Sequence, residues 1–119
     1  MSERNTLLLL KDIETSISKI INYTTGFTFA QYQADTKTKE AVERNFEIIG
    51  EAAARISEPF KQDHNDIEWR ILKDFRNFII HEYFGINNLI VWDTIQLRLP
   101  QLLQNISHLI SLQNEGDNS

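Results

Sequence analysis

The segment Asp74-Phe75-Arg76-Asn77-Phe78-Ile79-Ile80-His81-Glu82-Tyr83-Phe84 places an arginine, an amide, an imidazole and a phenol along one helical pattern that also carries core residues. Histidine titrates near neutral pH, so His81 can take a proton from a ribose 2′-OH or return one to a leaving oxygen. Arg76 offers a planar fork of donors that fits phosphate oxygens and the charge developing on them. Asn77 can hold the imidazole or the substrate in position. Together these groups suit metal-independent transesterification of an RNA backbone, with the internal 2′-OH as nucleophile. The same three residues would also be ordinary on a solvent-facing stripe, and spacing alone does not separate the two readings.

At about 100° per residue, Asn77 and His81 lie within about 40° of each other on an ideal helix. By the same geometry Arg76 and Tyr83 share a face within about 20°, whereas Arg76 and His81 stand about 140° apart. One straight helix therefore does not aim both at one phosphate. Either the helix end bends near Gly85, or two copies of the motif meet across a dimer axis and pool their side chains. The second is the better expectation, because a two-fold contact brings the same patch together from both subunits.

Four apolar-striped helices with short connections must carry this segment. Leu10, Ile13, Ile17 and Ile20 share one face of a helix over about 4–23, with Thr24-Thr25-Gly26 as its stop and Phe27 and Phe29 folded back on the core. Val42, Phe46, Ile49, Ala53 and Ile56 stripe a second helix over about 36–56, which Pro59 should end. Gly50 and Ala52–Ala54 give that helix a thin side for close approach. After a polar turn, Asn65 and Glu68 read as a capping box that opens the third helix, running through Trp69, Leu72, Phe75 and Ile79 to about Tyr83, with Gly85 as its stop. Asn87 or Asn88 caps a fourth, through Trp92, Ile95, Leu99, Leu102, Ile106 and Ile110, kinked or split at Pro100. The expected fold class is all-α, an antiparallel up-down four-helix bundle over residues 1–113, followed by a polar tail over 114–119 that frays.

A chain of 119 residues is one domain and can bury a core without staples. It has no cysteine, which removes thiolate catalysis, redox chemistry and Cys-based zinc sites. The three histidines lack metal-ligand spacing and the acids show no paired spacing, so no metal or cofactor is expected. His64 and His108 read as solvent-facing bystanders, Trp69 and Trp92 as core or interface anchors. The leucine run after MSERNT is too short for a secretory or membrane segment, which points to a cytoplasmic protein. A net charge of −5 disfavours broad non-specific nucleic-acid binding but leaves room for a small site handling one phosphodiester.

The run from Arg76 to Tyr83 resembles the Arg–four residues–His–x–Tyr motif of HepT-like HEPN ribonuclease toxins. AVERNFEIIGEAAARIS (41–57) is similar to that family's second-helix segment with its Gly-Glu-Ala core. Trp69 and INNLIVWDTIQLRLPQL (86–102) also fit its layout, so the likeness spans about residues 4 to 105. The resemblance implies the toxin half of a toxin–antitoxin system, an endoribonuclease in which Arg76 and His81 cleave RNA and Asn77 supports them. It implies a homodimer with the motif at the shared cleft, and a minimal nucleotidyltransferase as antitoxin. Tyr83 matches the tyrosine to which such antitoxins transfer AMP from ATP. A bulky anion there would compete for the phosphate pocket on Arg76's side of the helix. Glu51 and Arg55 border the cleft in this reading, or form only an i,i+4 surface pair. A tRNA substrate is a family-level expectation. Two alternatives stay open: a non-catalytic subunit that holds the nucleotidyltransferase by the same surface, and a mere substrate of that enzyme.

Overall fold

In the computed structural model, residues 3–76 and 88–117 are described, and they form helices with no strand among them. Where apolar stripes predict four helices, seven are found among the described residues. These are α1 (Glu3–Thr24), α2 (Phe29–Ala34), α3 (Thr36–Arg55), α4 (Glu58–Asp63), α5 (Trp69–Asp74), α6 (Asn88–Leu97) and α7 (Leu99–Asp117). The last of these runs into the segment expected to form the tail.

The two long stripes do what their spacing requires. Leu10, Ile13, Ile17 and Ile20 of α1 and Val42, Phe46 and Ile49 of α3 are fully buried, and α1 packs on both α3 and α7. A buried aliphatic side chain contributes about 1.5–3 kcal/mol, so this seam dominates the fold's stability. At the end of the α1 stripe Thr24 is also buried. Its hydroxyl donates to the Ile20 carbonyl at 2.9 Å, so a polar residue occupies an apolar position with its hydrogen bond satisfied. Gly26 then adopts φ +82°, the left-handed conformation that glycine takes without a Cβ penalty, and the chain turns. Phe27 and Phe29 pack against the core as expected.

The connection to α3 contains a helix that the stripes do not announce. Thr28 and Gln31 form a reciprocal capping box, at 3.1 Å and 2.9 Å, opening α2. This helix buries Tyr32, whose ring lies 5.3 Å from that of Trp92; Phe29 lies 6.3 Å from the same indole. Trp92 is thus a core anchor, as its type and position suggested.

Two boundary expectations are corrected. Pro59 does not end α3. That helix stops at Arg55 because Ile56 and Ser57 turn extended, and Pro59 sits in the first turn of α4, where its fixed φ suits the helix. The Asn65/Glu68 capping box is not formed. The helix opens at Trp69, with Glu68 as an N-cap that makes no side-chain cap bond; its carboxylate reaches instead to Arg98 Nη1 at 3.4 Å. The 64–69 turn is closed by two donors converging on the His64 carbonyl, the Ile67 amide at 3.3 Å and the Trp69 indole at 3.0 Å.

The break near Pro100 is where the sequence places it. Pro100 has no N–H to offer the Gln96 carbonyl, and the helix divides at Arg98. On either side the ladder continues, with Arg98 N–H donating to Thr94 at 3.0 Å and Leu102 N–H to Arg98 at 3.1 Å. Beyond the break, Ile106, Leu109 and Ile110 are buried, and Ser107 Oγ donates to Glu14 of α1 at 2.7 Å.

Candidate active site

Arg76 follows α5, and what positions it is the packing of α5 on α3. Leu72 and Phe75 point inward, and the Phe75 ring meets that of Phe46 edge-on at 4.8 Å and 73°. Phase then decides the next residue. Phe75 keeps right-handed helical angles (φ −58°, ψ −25°), so Arg76 emerges one step round from a buried ring and is itself exposed.

The root of Arg76 rests on Gly50. A Cβ placed on Gly50 would collide with Cγ of Arg76 and stand 2.9 Å from its backbone nitrogen. Gly50 is buried, and Ala53 beside it is fully so. The thin side of α3 is therefore a saddle for the arginine, with the guanidinium end of the side chain left at the surface.

Glu51 and Arg55 are exposed on the same helix, next to that saddle. No ion pair joins them among the described residues, so the surface-pair reading finds no support. Around α3 they stand about 100° and 140° from the Gly50 line, on its flank and not beneath Arg76. Asn77, His81 and Tyr83 lie outside the described residues, as do Ile79 and the Gly85 stop. Of the expected site residues, Arg76, Glu51 and Arg55 are described, and Arg76 meets α3 at Gly50.

His64 faces solvent only in part. It is half-buried, with its ring 4.5 Å from that of Phe60, while His108 is exposed. Trp69 is buried, with Phe60 6.3 Å away edge-on. Among the described residues no three His, Cys, Asp or Glu side chains gather closely enough to hold a metal ion. No helix there is long and apolar enough to cross a membrane. Beside Phe75, a 350 Å³ cleft opens between α5 and α6–α7, flanked by the Glu68–Arg98 pair. Nothing in the local sequence pattern marks it, because its walls come from segments about thirty residues apart.

Comparison with known proteins gives the family. The family model described as "Ribonuclease HepT-like" matches residues 13–109. "Putative RNase MJ0127" of Methanocaldococcus jannaschii is 33% identical over 120 aligned positions, covering all of this chain and 99% of the relative. "Probable ribonuclease HepT" of Thermococcus cleftensis is 39% identical over 93, covering 78% of this chain and 84% of the relative. "Putative RNase TTE0752" of Caldanaerobacter subterraneus is 32% identical over 102, covering 86% and 88%. No solved structure matches. With residues 13–109 matched by the family model and relatives aligned over most or all of its residues, the chain belongs to the HepT-like ribonuclease family.

Proposed function

We propose that this ribonuclease-family chain is a metal-independent endoribonuclease and the toxin of a toxin–antitoxin pair. The observation that carries the reading is the seating of Arg76 on Gly50, which fixes the arginine's backbone and leaves its charge facing solvent. His81 removes the proton of a ribose 2′-OH, and that oxygen attacks the adjacent phosphorus. The 5′-oxygen leaves with a proton, giving a 2′,3′-cyclic phosphate and a 5′-hydroxyl. Arg76 neutralises charge on the non-bridging oxygens as the phosphorus becomes five-coordinate. Asn77 holds the imidazole or the substrate.

In this reading α1, α3, the motif helix and α6–α7 are the four members of an antiparallel bundle, and two such bundles form a homodimer with a composite site. Pairing is supported by α6, which leaves Leu89, Ile90 and Leu97 exposed, the last by 77%. On an ideal helix these three fall within an arc of about 100°, which the exposed Asp93 shares, a mainly apolar face of the sort that a second subunit covers. The partner antitoxin is a minimal nucleotidyltransferase, which neutralises the toxin by binding and by transfer of AMP to Tyr83. A phosphodiester-linked nucleotide at Tyr83 brings negative charge to Arg76's side of the helix.

Purified protein incubated with total RNA in EDTA should cut it, and Arg76→Ala and His81→Ala should not, with both variants folded. Equal cleavage by all three would overturn the assignment. Intact mass after incubation with the nucleotidyltransferase, ATP and Mg²⁺ should rise by AMP units in the wild type and not in Tyr83→Phe.

A further inference from the structure

Between α4 and α5 lies an open cavity of 370 Å³ whose lining includes Lys61, Arg70 and Lys73, with Glu58 the acid among them. On a chain of net charge −5 this is a local reversal of sign. Arg70 and Lys73 are exposed on α5. Lys61 is different: its side chain is only 10% exposed, and lysine is rarely buried so far. Its ammonium stands 3.7 Å from Glu58, whose side chain is 77% exposed at the rim, a distant and solvent-screened partner. The amides of Gln62 and Asn65 on the same wall add neutral donors.

The cavity lies at the α5 residues that precede Arg76 in the chain. Arg70, Lys73 and Arg76 recur every third residue, each step advancing about 4.5 Å along the axis and turning about 60° round it. Arg70 and Lys73 of α5 thus wind from the cavity towards Arg76, just past the helix end and seated on Gly50. A row of this kind matches successive charges on one flexible backbone.

We infer that the α4–α5 cavity is an anion subsite that holds a phosphate of single-stranded RNA flanking the bond presented to Arg76. The assignment rests on the ribonuclease reading above and adds the route by which substrate reaches the site. Lys61 supplies a fixed charge, with its stem buried and its orientation set. Arg70 and Lys73 close over the phosphate from α5. The subsite explains how an acidic protein holds RNA: contact is confined to one cationic row, giving selective and salt-sensitive binding.

The test is a salt titration of binding, read by fluorescence anisotropy of a short labelled single-stranded RNA. It is done in the His81→Ala background so that the probe survives. Each phosphate contact removed from a single strand lowers the slope of log K against log salt by about 0.7. Arg70→Gln and Lys73→Gln should each reduce the slope by that amount and the double variant by about 1.4, while Lys37→Gln, at the far end of α3, leaves it unchanged. The same substitutions in the active protein should raise KM for RNA. If His81→Ala protein binds RNA with a slope that neither α5 substitution alters, the inference is overturned. It is also overturned if the variants keep the slope but lose an acidic protein partner, since the cavity is then a protein-docking site. Failure of the wild type to cut any RNA strikes the ribonuclease reading instead, and the anisotropy titration still decides the subsite.

Discussion

Substitution of Gly50 by alanine sets two effects of opposite sign against each other. In a helix interior Gly→Ala is stabilising by about 1 kcal/mol, because alanine loses less backbone entropy on folding. At this position the new methyl meets Arg76. Rotation about χ1 can withdraw the Arg76 Cγ, but the backbone nitrogen at 2.9 Å has no such freedom. To restore the 3.4 Å of ordinary contact, the chain at Arg76 must retreat by about 0.5 Å, and Phe75 moves with it against Phe46. Overpacking of this kind costs about 1–3 kcal/mol, so the net change is a loss of about 0–2 kcal/mol, or a fall in Tm of up to about 10 °C. The catalytic effect should be larger, since a misplacement of about 1 Å can cost about 100-fold in rate. For half that shift we expect kcat to fall roughly tenfold with KM changed less. Circular-dichroism melting and cleavage at saturating RNA measure the two effects separately. A Gly50→Ala protein that melts higher than wild type and cuts RNA at full rate would refute the close-approach argument.

Other positions give independent checks. Phe75→Ala removes a buried ring from the α3–α5 contact and should cost about 3–5 kcal/mol in denaturant unfolding, a large part of a small domain's stability. Asp35 accepts the Thr38 amide at 3.0 Å, and that bond leads the causes that hold its carboxyl below 3.8. Its stabilisation is present above 3.8, the unfolded value, and is lost as pH falls through the lower folded value. Asp35→Ala should therefore melt below wild type at neutral pH, with the gap closing in acid; a gap that persists in acid would disprove the linkage. Leu97→Glu should leave the fold within about 0.5 kcal/mol of wild type and shift the proposed dimer towards monomer in light scattering. An unchanged dimer mass would remove α6 from the interface.

What the sequence discloses depends on how many turns an element has. The α1 and α3 stripes recur over about three and four turns, so their periodicity names the buried residues almost one for one. Six-residue helices such as α2 and α4 have too few turns to show a stripe, and only their capping chemistry could reveal them. Thr28-x-x-Gln31 carries that signal; Asn65-x-x-Glu68 carries it equally well and is a false one, because Glu68 finds Arg98 thirty positions away. Pro59 is ambiguous for a similar reason, since proline both stops one helix and starts another. The candidate site divides along the same line. Arg76 stands out by residue type, and the thin side of α3 by composition. That one sits upon the other is a contact across 26 positions, which no local period encodes. The partial cover of His64 has this origin too: a polar turn says nothing of the Phe60 ring beside it.

The missing rung at Pro100 has a consequence for how the molecule opens. On its C-terminal side, α7 is fastened to α1 by Ile106, Leu109, Ile110 and the Ser107–Glu14 bond. On its N-terminal side, α6 leans on α2 through the Trp92 stack with Phe29 and Tyr32. A break in the ladder between them lets the α2–α6 aromatic layer loosen without unzipping α7, so the fold divides into two units of unequal cooperativity. In native-state hydrogen exchange the amides of α6 should give up their protons at a lower free energy than those of α7, and Trp92→Ala should hasten exchange in α6 and α2 alone. The α6 face of the proposed dimer then lies on the looser unit, and assembly would raise its protection towards that of the rest of the fold.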